Sequence, residues 1–187
     1  MHIQAENGER VLRVVGVLVV AATIFVLAGC ERAGDPLAGV EFGEVEGQEA
    51  IVFDNGETFV IEPDRFRGVV GPITVLMPAV YVRGWAVNVE AREGATEVLL
   101  FSGGKLVGRG IPDVERESVH KHLGMELTHP VGFSIVMPSD VMVGLEQPLE
   151  VYALHDRGGQ GFAGKLRVPE RSRCLLERLP IDSAECD

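Results

Sequence analysis

Hydrophobic and polar positions divide the chain into four stretches. From Val14 to Leu27 every residue is apolar, small or Thr, with Arg13 before the run and Gly29-Cys30 after it. Residues 30–49 then alternate glycine with acid: Gly34, Gly39, Gly43 and Gly47 stand among Glu31, Asp35, Glu41, Glu44, Glu46 and Glu49. From Ala50 to about 169 the chain reads as short apolar runs with period-two alternation, separated by Gly- and Asn-containing turns. The last stretch, 170–187, carries Leu175, Leu176 and Leu179 at helical spacing ahead of Pro180.

The third stretch predicts the fold. Ala50–Phe53 and Thr58–Ile61 flank Asp54-Asn55-Gly56-Glu57, whose Asn-Gly pair is a strong hairpin signal. Glu97–Phe101 and Leu106–Arg109 flank Ser102-Gly103-Gly104-Lys105. Leu149–Leu154 and Phe162–Val168 flank a glycine-rich turn that begins at His155-Asp156. Val69–Leu76 is interrupted by Gly71-Pro72 and reads as an edge or broken strand, because proline removes a ladder donor. Val80–Val89 and Phe133–Val136 complete the strands, and Asp113–Leu123 is the one helical stretch. Short strands at even spacing with glycine turns predict an all-β sandwich with one short helix over 50–169. Trp85, in the middle of a strand, is expected in its core.

The first two stretches predict an address. Fourteen residues from Val14 to Leu27 would extend roughly 21 Å as a helix, short of a hydrocarbon core about 30 Å thick. A short apolar run ending in small residues is the pattern of a removable export signal. Leu27-Ala28-Gly29-Cys30 resembles the lipobox of bacterial lipoproteins. The resemblance implies a signal peptide over 1–29, cleavage before Cys30, diacylglycerol on its thiol and a further acyl chain on the new amino group. Two or three chains give stable anchoring where one gives only marginal binding. The protein is then extracytoplasmic and bound to a membrane through Cys30, and Glu31 in place of Asp points toward the outer membrane in a Gram-negative cell. Residues 30–49 are expected to form a flexible tether reaching about 25 Å; Val40–Phe42 could instead form an edge strand.

With Cys30 lipidated, Cys174 and Cys186 are the two remaining thiols, in an oxidising compartment. A disulfide between them is expected to close the tail 170–187 and contribute about 3 kcal/mol. Two separate thiols, or a metal pair, are the alternatives.

The segment from Val82 to Leu154 resembles immunoglobulin-like sandwich modules of bacterial secreted proteins. The residues that carry this are Gly84-Trp85-Ala86, Gly103-Gly104-Lys105-Leu106-Val107, Arg116 to Val119, Gly132-Phe133, and Leu149-Glu150-Val151-Tyr152-Ala153. Where related modules often have Asp-Val after the arginine, this chain has Ser118-Val119. The resemblance implies an accessory or interaction module and transfers no catalytic residue.

Charge narrows the partners. The net charge is -11, and the acids and bases of residues 1–29 cancel, so the exported part keeps all of it. Such a surface repels phosphate backbones, which argues against nucleic acid. His120, His122 and His129 lack the spacing of a zinc site. Ser102-Gly103-Gly104-Lys105 lacks that of a phosphate loop, and no serine has a nucleophile-elbow setting. Asp54, Asn55 and Glu57 are residue types that a hairpin turn needs in any case, so calcium is weakly indicated. The expectation is a non-catalytic module without cofactor or metal, docking on an envelope protein. A glycan-binding domain is the alternative, and a hydrolase less favoured.

Overall fold

The computed structural model describes residues 37–138, 141, 148–170 and 172. The lipobox Leu27-Ala28-Gly29, Cys30, Cys174 and Cys186 lie outside the described residues, as do the export signal and the disulfide expected there. Twelve strands and one helix follow in order: β1 Val40–Val45, β2 Gln48–Phe53, β3 Thr58–Ile61, β4 Phe66–Val70, β5 Thr74–Leu76, β6 Ala79–Asn88, β7 Glu93–Gly94, β8 Glu97–Ser102, β9 Lys105–Gly110, α1 Glu117–Leu123, β10 Gly132–Pro138, β11 Leu149–Arg157 and β12 Gln160–Lys165. The described chain is therefore mostly β-sheet, with one short helix.

The strands form two sheets. The large sheet runs β1-β2-β3-β12-β11-β8-β9; the small one runs β10-β6-β4, with β5 and β7 also paired to β6. All pairings are antiparallel except β3 with β12. Two hairpins turn on Gly-Gly. Gly103 and Gly104 have φ of 57° and 78°, Gly158 and Gly159 of 66° and 87°. Positive φ at both central positions is what a two-residue turn matching the strand twist demands.

Phe66, Val70, Val80, Val82, Ala86, Phe133, Ile135 and Met137 from the small sheet meet Val98, Leu100, Val107, Leu149, Val151 and Ala153 from the large one in a single core. The large sheet also has a second core on its opposite face. Leu99, Phe101, Tyr152, Leu154 and Ala163 there pack with Ile51 and Phe59, and Val40, Phe53 and Ile61 join them. The sheet curls so that β1, β2 and β3 lie across the back of β8 and β11; the Phe42 ring is 4.6 Å from that of Phe101 and 5.4 Å from that of Tyr152. This explains why Val98-Leu99-Leu100-Phe101 shows no alternation. Both faces of β8 are buried, so both parities are apolar.

Three expectations are corrected. The tether expected over 30–49 gives way to sheet at Val40, where the alternative of an edge strand at Val40–Phe42 holds: β1 is the edge of the large sheet, and β2 begins at Gln48. Composition suggested a spacer, but Val40 and Phe42 alternate with acid and are held by the second core. The third turn is shorter than expected: His155, Asp156 and Arg157 continue β11 and pair with β12, leaving only Gly158-Gly159 as the loop. The helix is also shorter than 113–123. Val114 forms a bridge to Gly132 instead, and the backbone amides of Asp113 and Val114 both donate to the Gly132 carbonyl at 3.0 Å. α1 then stops at Gly124, which takes the left-handed cap conformation.

Candidate functional site: the outer face of the small sheet

Strand β6 determines this face. Its inward parity, Val80, Val82, Gly84 and Ala86, is buried, while Tyr81, Arg83 and Trp85 point away from the core. Trp85 is thus half-buried on the outer face, correcting the expectation that it lies in the core between the sheets. Pairing sets its neighbours: Trp85 lies opposite Val69 on β4 and Gly132 on β10, Arg83 opposite Ser134, and Tyr81 opposite Val136 and Thr74. The Arg83 guanidinium is 5.5 Å from the Tyr81 ring, within cation–π range.

Helix α1 roofs one end of the face. Val119 is buried with Val87 and Val131, and Trp85 packs against this group together with Leu123, Met125 and Leu127. His122 meets the indole edge-on, with ring centroids 6.4 Å apart. Between helix and sheet is a cleft of about 440 Å³ lined by Val69, Trp85, Arg116, Ser118, Val119 and His122. The stem of Arg116 crosses Gly132 so closely that a β-carbon there would be 2.9 Å from Cγ and 3.0 Å from Nε. Glycine at 132 is what lets arginine lie on the sheet.

Arg116 is the chemically informative member. Its Nε is buried and donates to nothing, and no carboxylate pairs with the guanidinium among the described residues. Glu115 and Glu117 flank it in sequence but are exposed. A buried donor without an acceptor typically costs about 1–3 kcal/mol, so this guanidinium gains from any anion that enters the cleft. The wider face agrees: β4, β5, β6 and β10 contain Arg67 and Arg83 and no Asp or Glu.

The other concave places differ. A cleft of about 650 Å³ on the large sheet is lined by Phe42, Glu44, Glu49, Glu150, Tyr152 and Lys165, among others. Its one cation is committed, because Lys165 donates to Glu150. That bond holds the Lys165 ammonium above its ordinary value, and burial pushes the Tyr152 hydroxyl up. A third hollow, of about 340 Å³, includes Asn55, Glu57 and Asp156. Asn55 accepts from the Glu57 amide at 2.9 Å and donates to its carboxylate at 2.8 Å, so these side chains serve the turn. Among the described residues no three His, Cys, Asp or Glu side chains converge as metal ligands. His120 is half-buried on α1, and His122 and His129 are exposed. His155 is buried at the end of the inter-sheet core, 3.5 Å from Glu93.

The lone signal for this site in the sequence was the parity of Val80-Tyr81-Val82-Arg83, which puts Trp85 on the side of Arg83. The partnerless state of Arg116 arises from packing and has no local signal. The chain matches no protein-family model, no curated protein and no solved structure.

Proposed function

We propose that this chain is a bacterial envelope lipoprotein, anchored through lipid on Cys30, whose immunoglobulin-like β-sandwich is a non-catalytic protein-interaction module. The observation that carries the interaction reading is the outer face of the small sheet. It presents Trp85, Tyr81, Val136 and an arginine with no carboxylate partner among the described residues, whereas the corresponding face of the large sheet is covered by β1–β3. An uncovered aromatic and apolar surface on a folded domain marks an interaction site. Two mostly antiparallel sheets around a common core support the sandwich. Gly84-Trp85-Ala86 lies in β6, Gly103-Gly104 turns β8 into β9, Gly132-Phe133 opens β10, and Leu149–Ala153 lies in β11. The anchor rests on Leu27-Ala28-Gly29-Cys30.

The test has two parts. Palmitate fed to cells is expected to label the wild-type protein and not Cys30→Ser, and mass spectrometry is expected to find Cys30 as the acylated first residue. A photo-crosslinker at Ser134, exposed on the bare face, is expected to trap one discrete envelope protein in intact cells. Label retained in Cys30→Ser contradicts the anchor, and absence of a Ser134 adduct contradicts the module.

A second reading, glycan binding at the cell surface, is favoured by one observation: Trp85 and Tyr81 share the outer face of β6. Tyr152 takes no part, since it is 7% exposed within the second core. Soluble cell-wall glycan that shifts Trp85 fluorescence would favour this reading over the first.

A further inference from the structure

We infer that the outer face of the small sheet takes an acidic polypeptide segment with an apolar anchor, the carboxylates meeting Arg83 and Arg116 and the anchor entering the cleft beside Trp85. This rests on the reading of the domain as a protein-interaction module and names the chemistry of its partner. Three observations lead to it.

First, charge is segregated against the balance of the chain. The protein carries -11, and the strands of the large sheet hold Glu41, Glu44, Glu49, Glu97, Glu150 and Asp156 mixed with Lys105, Arg109, Arg157 and Lys165. The paired strands β4, β5, β6 and β10 carry only Arg67 and Arg83, with Arg116 above them. Arg67 and Arg83 on strands without an acid give this face a positive character that the acidic molecule as a whole lacks, and such a patch favours and orients an anionic partner.

Second, the cations are available. Arg116 has no ionic partner among the described residues and a buried Nε without an acceptor. Arg83 is exposed and stacked on Tyr81 rather than paired with a carboxylate. Three cations elsewhere are held by carboxylates: Arg65 by Glu62 and Glu90, Arg109 by Glu97, and Lys165 by Glu150.

Third, the apolar part of the face suits side chains better than sugar. Leu76, Met77, Ile111 and Val136 are 58%, 77%, 71% and 56% exposed, and all but Ile111 lie on this face or in its β5–β6 turn. Aliphatic surface of this kind would strip water from sugar hydroxyls and return no hydrogen bonds. An apolar side chain loses nothing there and gains burial. A cleft with Trp85 as one wall and Val69 and Val119 beside it holds one such anchor.

The only tryptophan of the chain stands in the proposed site, so its emission reports binding at this place and nowhere else. The full-length protein in detergent is titrated at neutral pH with a short peptide of glutamates interrupted by one Phe and one Leu. Parallel titrations use the same peptide with lysine for glutamate, and polygalacturonate. The expected result is a saturable shift of Trp85 emission with the glutamate peptide, weakened by added salt and at least about tenfold tighter than with either competitor. Arg83→Glu, an exposed substitution that leaves the fold intact, is expected to weaken binding about tenfold, and Arg83→Glu with Arg116→Glu to abolish it. Lys105→Glu on the large sheet is the control and is expected to bind as wild type. Tighter binding of the lysine peptide or of polygalacturonate, or binding indifferent to Arg83→Glu, overturns the inference. So does no response to the glutamate peptide. If the inference fails while the Ser134 crosslink persists in cells, only the partner chemistry is wrong; if that adduct is also absent, the interaction reading falls with it.

Discussion

On the large sheet, the face turned away from the sandwich is buried by the chain's own first strands, and Phe42, Ile51, Phe53 and Phe59 lie over Phe101 and Tyr152. On the small sheet, the corresponding face carries, among the described residues, only α1, seven residues long, across one end. Both faces present aromatic and aliphatic side chains; they differ in what was supplied to cover them. Strand β8 shows what a covered face looks like in sequence, an unbroken apolar run. Strand β6 shows an uncovered one, with Arg83 set between Tyr81 and Trp85. One sheet of the sandwich has three strands over its outer face and the other a short helix, and this difference is what the proposed interaction surface rests on.

This contrast is open to attack, and the largest effect should come from the covered side. Phe101→Ala removes a fully buried ring from the second core and is expected to cost about 3–5 kcal/mol in urea unfolding. Hydrogen exchange should then quicken first in β1–β3, which pack on that ring, while the inter-sheet core stays protected. Uniform acceleration would mean that the two cores are one.

Alkaline pH offers a milder test of the same region. Tyr152 is raised above its ordinary 10.0 by burial, and Lys165 above 10.5 by its hydrogen bond to Glu150. Both groups hold their protons more tightly in the folded state, so their stabilisation is complete below about pH 10 and is lost as the pH rises beyond it. Thermal melts across that range should decline for wild type, and Tyr152→Phe should decline less steeply. An identical decline would remove Tyr152 from the account.

Smaller still is the pair on β8 and β9, where Arg109 donates to both Glu97 oxygens at 2.6 and 2.9 Å. The pair lies at the surface, and Glu97→Gln should cost less than about 1 kcal/mol. Smallest is Val136→Ser on the bare face, 56% exposed, expected within about 0.5 kcal/mol of wild type. A large loss there would show that the face is buried by something and is not a free surface.

Much of this architecture could be read in advance. Asn55-Gly56, Gly103-Gly104 and Gly158-Gly159 marked their hairpins because few other residues accept those backbone angles, and Gly71-Pro72 marked the break between β4 and β5. What escaped notice depended on contacts between distant segments. The pairing of β3 with β12, which lets the large sheet curl, joins Phe59 to Gly161 and has no local signature. Without that curl Val40 and Phe42 have nothing to pack on, so from sequence alone spacer and edge strand both fit them, and the edge strand is what forms. His155 looked like part of a turn because it stands close to Gly158, yet its strand runs on to Arg157. Trp85 departs from expectation for another reason. Tryptophan in a sandwich strand is usually core, and that general tendency outweighed the parity that Arg83 announced. Arg116 is the extreme case: nothing beside it in sequence tells that its guanidinium meets no carboxylate among the described residues.

The central claim is that the small sheet's outer face is the side on which this protein meets another molecule. Photo-crosslinkers placed in turn at Ser134 on that face and at Lys105 on the large sheet, in cells expressing the full chain, test it directly. The account predicts a discrete protein adduct from Ser134 that disappears with Arg83→Glu, and none from Lys105. An adduct from Lys105 with Ser134 silent would contradict it.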